Sequence, residues 1–286
     1  MTHVEPLAVS LAVEPIGTDV FRPTAPSRLA TADARGSESS RAGDRRRVFG
    51  GQLLGQGLRA ACATVDEGRL PRSLHAYFIA AADAGKPLDY HVERVRDGRG
   101  VSHRRVKAVQ GARELFSLEA SFDAASPGFA YEDRPSPGAG PDELPTASGE
   151  AAQLWSGVQV KFAEAGAGAH TAHRRFWMRA AQPLGSDPVL HACALAYMSD
   201  LSLLRAALEP DVVQQADRPV RLASLDHAIW FHQASRADAW VLCDSISPVA
   251  HGGRALALGH LFDPAGRLAL TVAQQGTLRL RPEALH

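Results

Sequence analysis

Ser224-Leu225-Asp226-His227-Ala228-Ile229-Trp230-Phe231 reads as a second version of an earlier run, Ser73-Leu74-His75-Ala76-Tyr77-Phe78. His75 and His227 lie 152 apart, Gly100 and Gly253 lie 153 apart, and Leu115 and Leu268 also lie 153 apart. A near-constant spacing across three landmarks marks an internal repeat, and a repeat decides the architecture before any single element does. Working outward, the first copy opens at Phe49-Gly50-Gly51 with an Ala/Leu-rich helical stretch through about Val65. The 73–78 run follows, then a strand over 88–96, a turn at Asp97-Gly98, and alternating strands over 101–109 and 114–122. In the second copy Asp187-Pro188 predicts a helix start and the helix continues through about Leu208, since Asp is a good N-cap and Pro fits the first helical position. The 224–231 run, a strand over 239–247, a turn at Gly252-Gly253 and strands over 254–262 and 267–278 complete it.

One helix followed by a curved antiparallel meander is stable when the sheet wraps the helix, because the apolar face of such a sheet has to be covered. That is the hotdog arrangement, and two copies pairing edge to edge make a double hotdog of the α+β class, its two sheets joined into one. The competing reading is two unrelated α+β domains. The expected division is an N-terminal hotdog over 1–122, a linker over 123–150 crowded with Pro135, Pro137, Gly138, Gly140, Pro141 and Pro145, and a C-terminal hotdog over 151–286. Residues 24–47, polar and ending in Arg45-Arg46-Arg47, are expected to form a mobile loop.

Composition narrows the function. Thirty-one basic residues balance thirty-one acidic ones, so no overall field draws the chain to nucleic acid or an anionic membrane. No stretch is long enough to span a bilayer, and the apolar run Leu7 to Val13 lacks a basic segment before it and is flanked by Glu5 and Glu14, unlike a secretory signal. Cys62, Cys193 and Cys243 are widely spaced among apolar neighbours and read as reduced core thiols. A cytoplasmic location is expected. A Gly-x-Ser-x-Gly elbow and a clustered Cys/His set are both missing, so serine-hydrolase and metallohydrolase readings lack support.

Over nearly the whole chain, apart from 24–47 and the linker, the residues resemble the acyl-CoA thioesterase II family. The resemblance rests on Val48-Phe49-Gly50-Gly51-Gln52, His75-Ala76-Tyr77-Phe78, Asp97-Gly98 with Arg104-Arg105-Val106, Leu225-Asp226-His227 with Trp230-Phe231-His232, and Gln274 followed by Gly276. It implies a double hotdog, an acyl-CoA substrate, hydrolysis with neither metal nor cofactor nor covalent intermediate, and a catalytic Asp, Thr and Gln. It also implies homo-oligomers of double-hotdog units as one option. Asp200 and Gln274 match the catalytic pattern, whereas Ser224 stands in the place of the Thr and keeps only its hydroxyl. Gln275 stands where an acidic residue is common.

Read on their own, the same residues allow this chemistry. In a helix over 191–208, Asp200 has Ala196, Leu203 and Leu204 as its helical neighbours, which sets its carboxylate on an apolar face where it needs hydrogen bonds. Ser224, just before a strand, and Gln274, inside the last strand, supply them if they converge, and the three can hold one water for attack on a thioester. The plainer reading is an Asp200 that faces solvent. Gly50 and Gly51 offer backbone N–H groups at a helix start, either as part of the substrate-binding site for a developing oxyanion or as a simple tight turn. Arg45, Arg46 and Arg47 read first as a solvated charge run, with a contact to CoA phosphates as the second reading. His75 and His227, taken as equivalent positions, read as structural, as does Asp226. The other functions in play are a hotdog hydratase, for which no Asp/His pair presents itself, and a non-catalytic acyl-CoA binding protein.

Overall fold

The computed structural model describes residues 6–25, 47–124, 126–135, 138–147, 157–163, 172–210, 213 and 220–280. The expectation for the 24–47 loop therefore falls outside the described residues from 26 to 46, and with it Arg45 and Arg46. Two helices form the centre. The first, α2 (Gly50–Cys62), is buried over most of its length, and the second, α3 (Pro188–Ser199), is apolar nearly all round, as a helix covered on every side must be. Asp187 caps α3 by accepting a hydrogen bond from the Val189 N–H at 2.9 Å, with Pro188 in the first helical position as expected.

The helices run antiparallel and close together. Phe49 meets Tyr197 edge-on with ring centroids 5.0 Å apart, and at the other end the Arg59 guanidinium pairs with Asp187 at 2.8 Å. Between these points small residues set the spacing. A Cβ on Gly51 would lie 2.3 Å from the Tyr197 carbonyl oxygen, and one on Gly55 would lie 3.0 Å from that of Cys193. The short helix α1 (Leu7–Ser10) packs across the pair, with Leu7 and Leu11 buried and the Ser10 carbonyl accepting from Gln56 at 2.7 Å.

One antiparallel sheet of 13 strands wraps this pair. Its first half holds β1 (Val13–Gly17), β2 (Val20–Pro23), β3 (Leu70–Phe78), β4 (Asp89–Asp97), β5 (Val101–Gln110) and β6 (Arg113–Asp123). Its second half holds β7 (Val158–Ala163), β8 (His173–Ala180), β9 (Val220–Ser224), β10 (Asp226–Phe231), β11 (Val241–His251), β12 (Arg254–Phe262) and β13 (Leu268–Leu280). The order is β1-β2-β4-β5-β6-β3-β10-β13-β12-β11-β8-β7, with β9 pairing β13 off this path. The repeated runs are β3 and β10, and they are the strands that join the halves. The helix-wrapping double sheet expected from the repeat is present. Strands β1, β2, β7, β8 and β9 were not expected; they extend the edges or, for β9, break off from β10 at Leu225.

The join corrects one reading. His227 pairs with Ala76 and faces the core, while His75 pairs with Ala228 and is exposed on the outer face, in edge contact with Trp230 at 5.3 Å. The two histidines are therefore not equivalent. The residue of the first half that matches His227 in place and face is Leu74, 153 positions earlier, the same interval as Gly100 to Gly253. An offset of one residue turns a strand position to the other side of the sheet, so a histidine-to-histidine match of 152 cannot be structural equivalence.

A second correction concerns α3, expected to run through about Leu208. It ends at Ser199, Asp200 is its C-cap, and Leu203–Leu208 forms a separate 3₁₀ turn. The Ser199 hydroxyl donates back to the Ala196 carbonyl at 2.9 Å, a local bond that competes with continued helix, and Ser202 leaves the helical region at φ −147°, ψ 1°. The turn then seats Leu203 against Gly259 and Leu204 against Gly276, where a Cβ would stand 2.7 and 2.2 Å away respectively.

Part of the 123–150 segment is pinned to the second half. Trp177 Nε1 donates to the Ala139 carbonyl at 3.0 Å, Lys161 Nζ to that of Pro141 at 2.5 Å, and the Ala147 N–H to that of Val160 at 2.8 Å.

Candidate active site

Three elements far apart in sequence meet at one end of the helix pair. Asp200 caps the C-terminus of α3, Gln274 lies mid-strand on the core face of β13, and Ser224 is the last residue of β9, paired to Gly276 of β13. Because the helices are antiparallel, the same point is the N-terminus of α2, where Gly50 and Gly51 start the helix. A carboxylate at the end of its own helix meets the negative end of that dipole, and the start of α2 beside it supplies the opposite sign.

The side chains are in contact. Gln274 Nε2 donates to Asp200 Oδ1 at 2.5 Å and to Ser224 Oγ at 2.8 Å. The Gly51 N–H and the Ser224 hydroxyl are further hydrogen-bond partners of the Asp200 carboxylate. Burial pushes this carboxyl up to about 7, and the hydrogen bonds from Gln274, Gly51 and Ser224 only partly oppose it. Gly50 can carry no side chain here, since a Cβ would stand 2.6 Å from Asp200 Oδ2 and 3.0 Å from the Phe78 ring. The arrangement is a carboxylate poised near neutrality, a hydroxyl and an amide around one point, with bare backbone for a wall.

Both halves of the chain match known family models: residues 39–123 match an acyl-CoA thioesterase N-terminal domain, and residues 151–277 match acyl-CoA thioesterase. Acyl-coenzyme A thioesterase 8 of Mus musculus is 35% identical over 263 residues, covering 83% of this chain and 82% of the relative. The chain belongs to the acyl-CoA thioesterase family. Acyl-CoA thioesterase 2 of Haemophilus influenzae is 33% identical, with 82% of this chain and 88% of that protein covered. Among solved structures, an acyl-CoA thioesterase II from Mycobacterium marinum is 36% identical with a TM-score of 0.80, covering 96% of this chain and 99% of that one. A hotdog-fold protein of Alicyclobacillus acidocaldarius, 18% identical with a TM-score of 0.77 over 99% of this chain and 100% of its own, shows the fold alone. The double-hotdog architecture is that of the family, and the chain is an enzyme of the thioester-hydrolase class.

The other residues singled out in the sequence fall differently in this family member. Asp226 accepts a hydrogen bond from the Gln275 N–H at 2.9 Å, a strand-to-strand tie beside the site. Arg47 pairs through its backbone with Asp83 in an isolated antiparallel β-bridge. The Asp97-Gly98 turn closes the β4–β5 hairpin, with the Gly98 N–H on the Val101 carbonyl at 3.0 Å and Asp97 held by Ser102 and the buried Arg104. Sequence reading missed the partnership of the Gly51 N–H with Asp200, having aimed that amide at substrate. It also missed the contact between His227 and Ser199, 2.9 Å from Nε2 to Oγ. The adjacency of Ser199 and Asp200 in sequence was the available signal for the second.

Proposed function

We propose that the protein hydrolyses fatty acyl-CoA to a free fatty acid and CoA, with a water activated by Asp200 and aligned by Ser224 and Gln274. The observation that carries this reading is a carboxylate held near neutral pKa between a hydroxyl, an amide and a helix N-terminus. A general base works best with a pKa close to the working pH, and burial supplies that here. The water attacks the thioester carbon as its proton passes to Asp200, giving a tetrahedral oxyanion. Collapse then expels the CoA thiolate, which takes the proton back from Asp200; a thiol of pKa about 8.5 leaves without strong acid assistance. Gly50 and Gly51 form the wall the thioester approaches, the Gly51 N–H steadying the base and the start of α2 favouring negative charge beside it. Supporting the division into two hotdog units, 1–122 and 151–286 with 123–150 between them, are the separate family matches to the two halves. A cytoplasmic setting is part of the same reading, in keeping with the lack of any helix, among the described residues, long and apolar enough to cross a membrane.

The test is release of free CoA from a range of acyl-CoAs, followed with a thiol reagent, in the wild-type protein and in Asp200→Asn. Asp200→Asn keeps the shape and removes the base, so kcat should fall by roughly 10²–10⁴ with KM little changed. Near-wild-type turnover in a folded variant would take Asp200 out of the mechanism. No CoA release from any acyl-CoA by the wild type would favour a binding protein instead.

A further inference from the structure

The hydrogen bonds around the site leave two acceptors unaccounted for. Ser199 Oγ spends its one proton on the Ala196 carbonyl at 2.9 Å, so toward His227 Nε2, also 2.9 Å away, it can only accept. His227 therefore carries its proton on Nε2, and Nδ1 is a bare lone pair. Gln274 is fixed in the same way. The Asp200 carboxylate accepts, so the amide turns Nε2 toward it; both Nε2 hydrogens go to Asp200 and Ser224, and Oε1 points elsewhere. His227 Nδ1 and Gln274 Oε1 are buried, and among the described residues neither has a partner. Each of the two residues is only 1% exposed.

The two atoms belong to neighbours. Strands β10 and β13 are in register with Ala228 opposite Ala273, and beyond this pair they stay tied by the Leu225 N–H on the Gln275 carbonyl at 2.9 Å and the Gln275 N–H on the Asp226 side-chain carboxylate. That places His227 across from Gln274 on the core face, where Cβ atoms of facing residues stand about 4.5–5.5 Å apart. The internal repeat sharpens the contrast: Leu74 matches His227, and opposite Leu74 stands Ala120, both buried and apolar. The polar pair occurs in the half that carries Asp200. Two acceptors cannot satisfy each other, and a buried polar atom left unbonded is costly, so the group between them has to donate twice.

We propose that His227 is a positioning residue for Gln274: Nδ1 and Gln274 Oε1 share one water that donates a hydrogen to each, locking the amide with its nitrogen toward Asp200 and Ser224. A water with two fixed acceptors is a common way to complete buried polar groups. Released from that water, the amide can turn its oxygen toward Asp200, which repels the carboxylate and spoils the alignment of the attacking water. Burial also holds the His227 ring neutral, its pKa pushed down to about 3, so the lone pair persists at every working pH. The inference rests on the catalytic role proposed for Gln274.

Two variants separate this role from a mere structural anchor. His227→Gln keeps a donor near the Nε2 position for Ser199 and lacks Nδ1, whereas His227→Asn keeps an acceptor near the Nδ1 position and loses Ser199. The proposal expects kcat for acyl-CoA to fall about tenfold or more in His227→Gln with KM within about twofold, and to stay within about threefold of wild type in His227→Asn. The reverse order, or equal losses, would overturn it. A readout independent of turnover is the ¹⁵N resonance of Nδ1, expected in wild type at a hydrogen-bonded, unprotonated position from about pH 5 to 9 and shifted toward the unbonded position in Gln274→Leu. No shift in Gln274→Leu overturns the shared water even if Asp200→Asn proves inactive. An active Asp200→Asn with that shift present instead sinks the catalytic reading and leaves the bridge standing.

Discussion

At Asp200 two opposing influences meet, and in the proposed mechanism their balance sets the pH behaviour of the enzyme. Burial disfavours the charged form, while Gln274, Gly51 and Ser224 favour it, and the carboxyl comes to rest at about 7. The proposed base acts in its ionised form, so activity is expected above that value and is expected to be lost as pH falls through it. With subsaturating acyl-CoA, kcat/KM should rise tenfold per pH unit on the acid side and level off above about pH 7; a limb centred near 4, where a solvated carboxylate titrates, would contradict this. In that mechanism Ser224 carries less of the load, because Gln274 and Asp200 would also hold the water. Ser224→Ala should lower kcat modestly, by less than about tenfold, and Ser224→Thr, which keeps the hydroxyl and adds one methyl, should match or exceed wild type. An inactive, folded Ser224→Thr would remove Ser224 from the site.

The helix pair is the element on which the site's position depends. Gly51 and Gly55 let α2 and α3 approach until backbone meets backbone, and that approach brings the start of α2 against Asp200 at the end of α3. Gly51→Ala would drive a methyl to 2.3 Å from the Tyr197 carbonyl and 2.4 Å from the Phe49 ring, and neither the helix backbone nor a ring already packed on Tyr197 moves freely. Alanine favours helix intrinsically, so the expected loss measures packing. Gly51→Ala should cost about 1–3 kcal/mol in urea unfolding and lower kcat as the helices separate. An unchanged unfolding midpoint would mean the pair tolerates wider spacing than its geometry implies.

On the scale of the whole molecule, β3 and β10 make the halves one sheet and α2 and α3 make them one core, so they should unfold together. All four tryptophans, Trp155, Trp177, Trp230 and Trp240, lie in the second half, which makes fluorescence a probe of that half and far-ultraviolet circular dichroism a probe of both. The two urea transitions should coincide; separated midpoints would show halves that unfold on their own. Much of this architecture was legible in the chain. The repeat interval, the Asp187-Pro188 helix start, the Gly50-Gly51 start and the hairpin turns are set by local chemistry, namely capping, backbone freedom and the alternation of apolar residues, and local chemistry is what a linear sequence records. The face of His227, the end of α3 at Ser199 and the bonding of Gly51 to Asp200 were not legible. Strand register is a choice between pairings one residue apart, and the helix stops where Leu203 and Leu204 find Gly259 and Gly276 on distant strands. Asp200, Ser224 and Gln274 lie on three elements, and the sequence by itself could name them only by resemblance. Their meeting at 2.5 and 2.8 Å is decided by the tertiary structure alone, because only the antiparallel helix pair inside a closed sheet puts the end of one helix, the start of the other and the middle of β13 at one point.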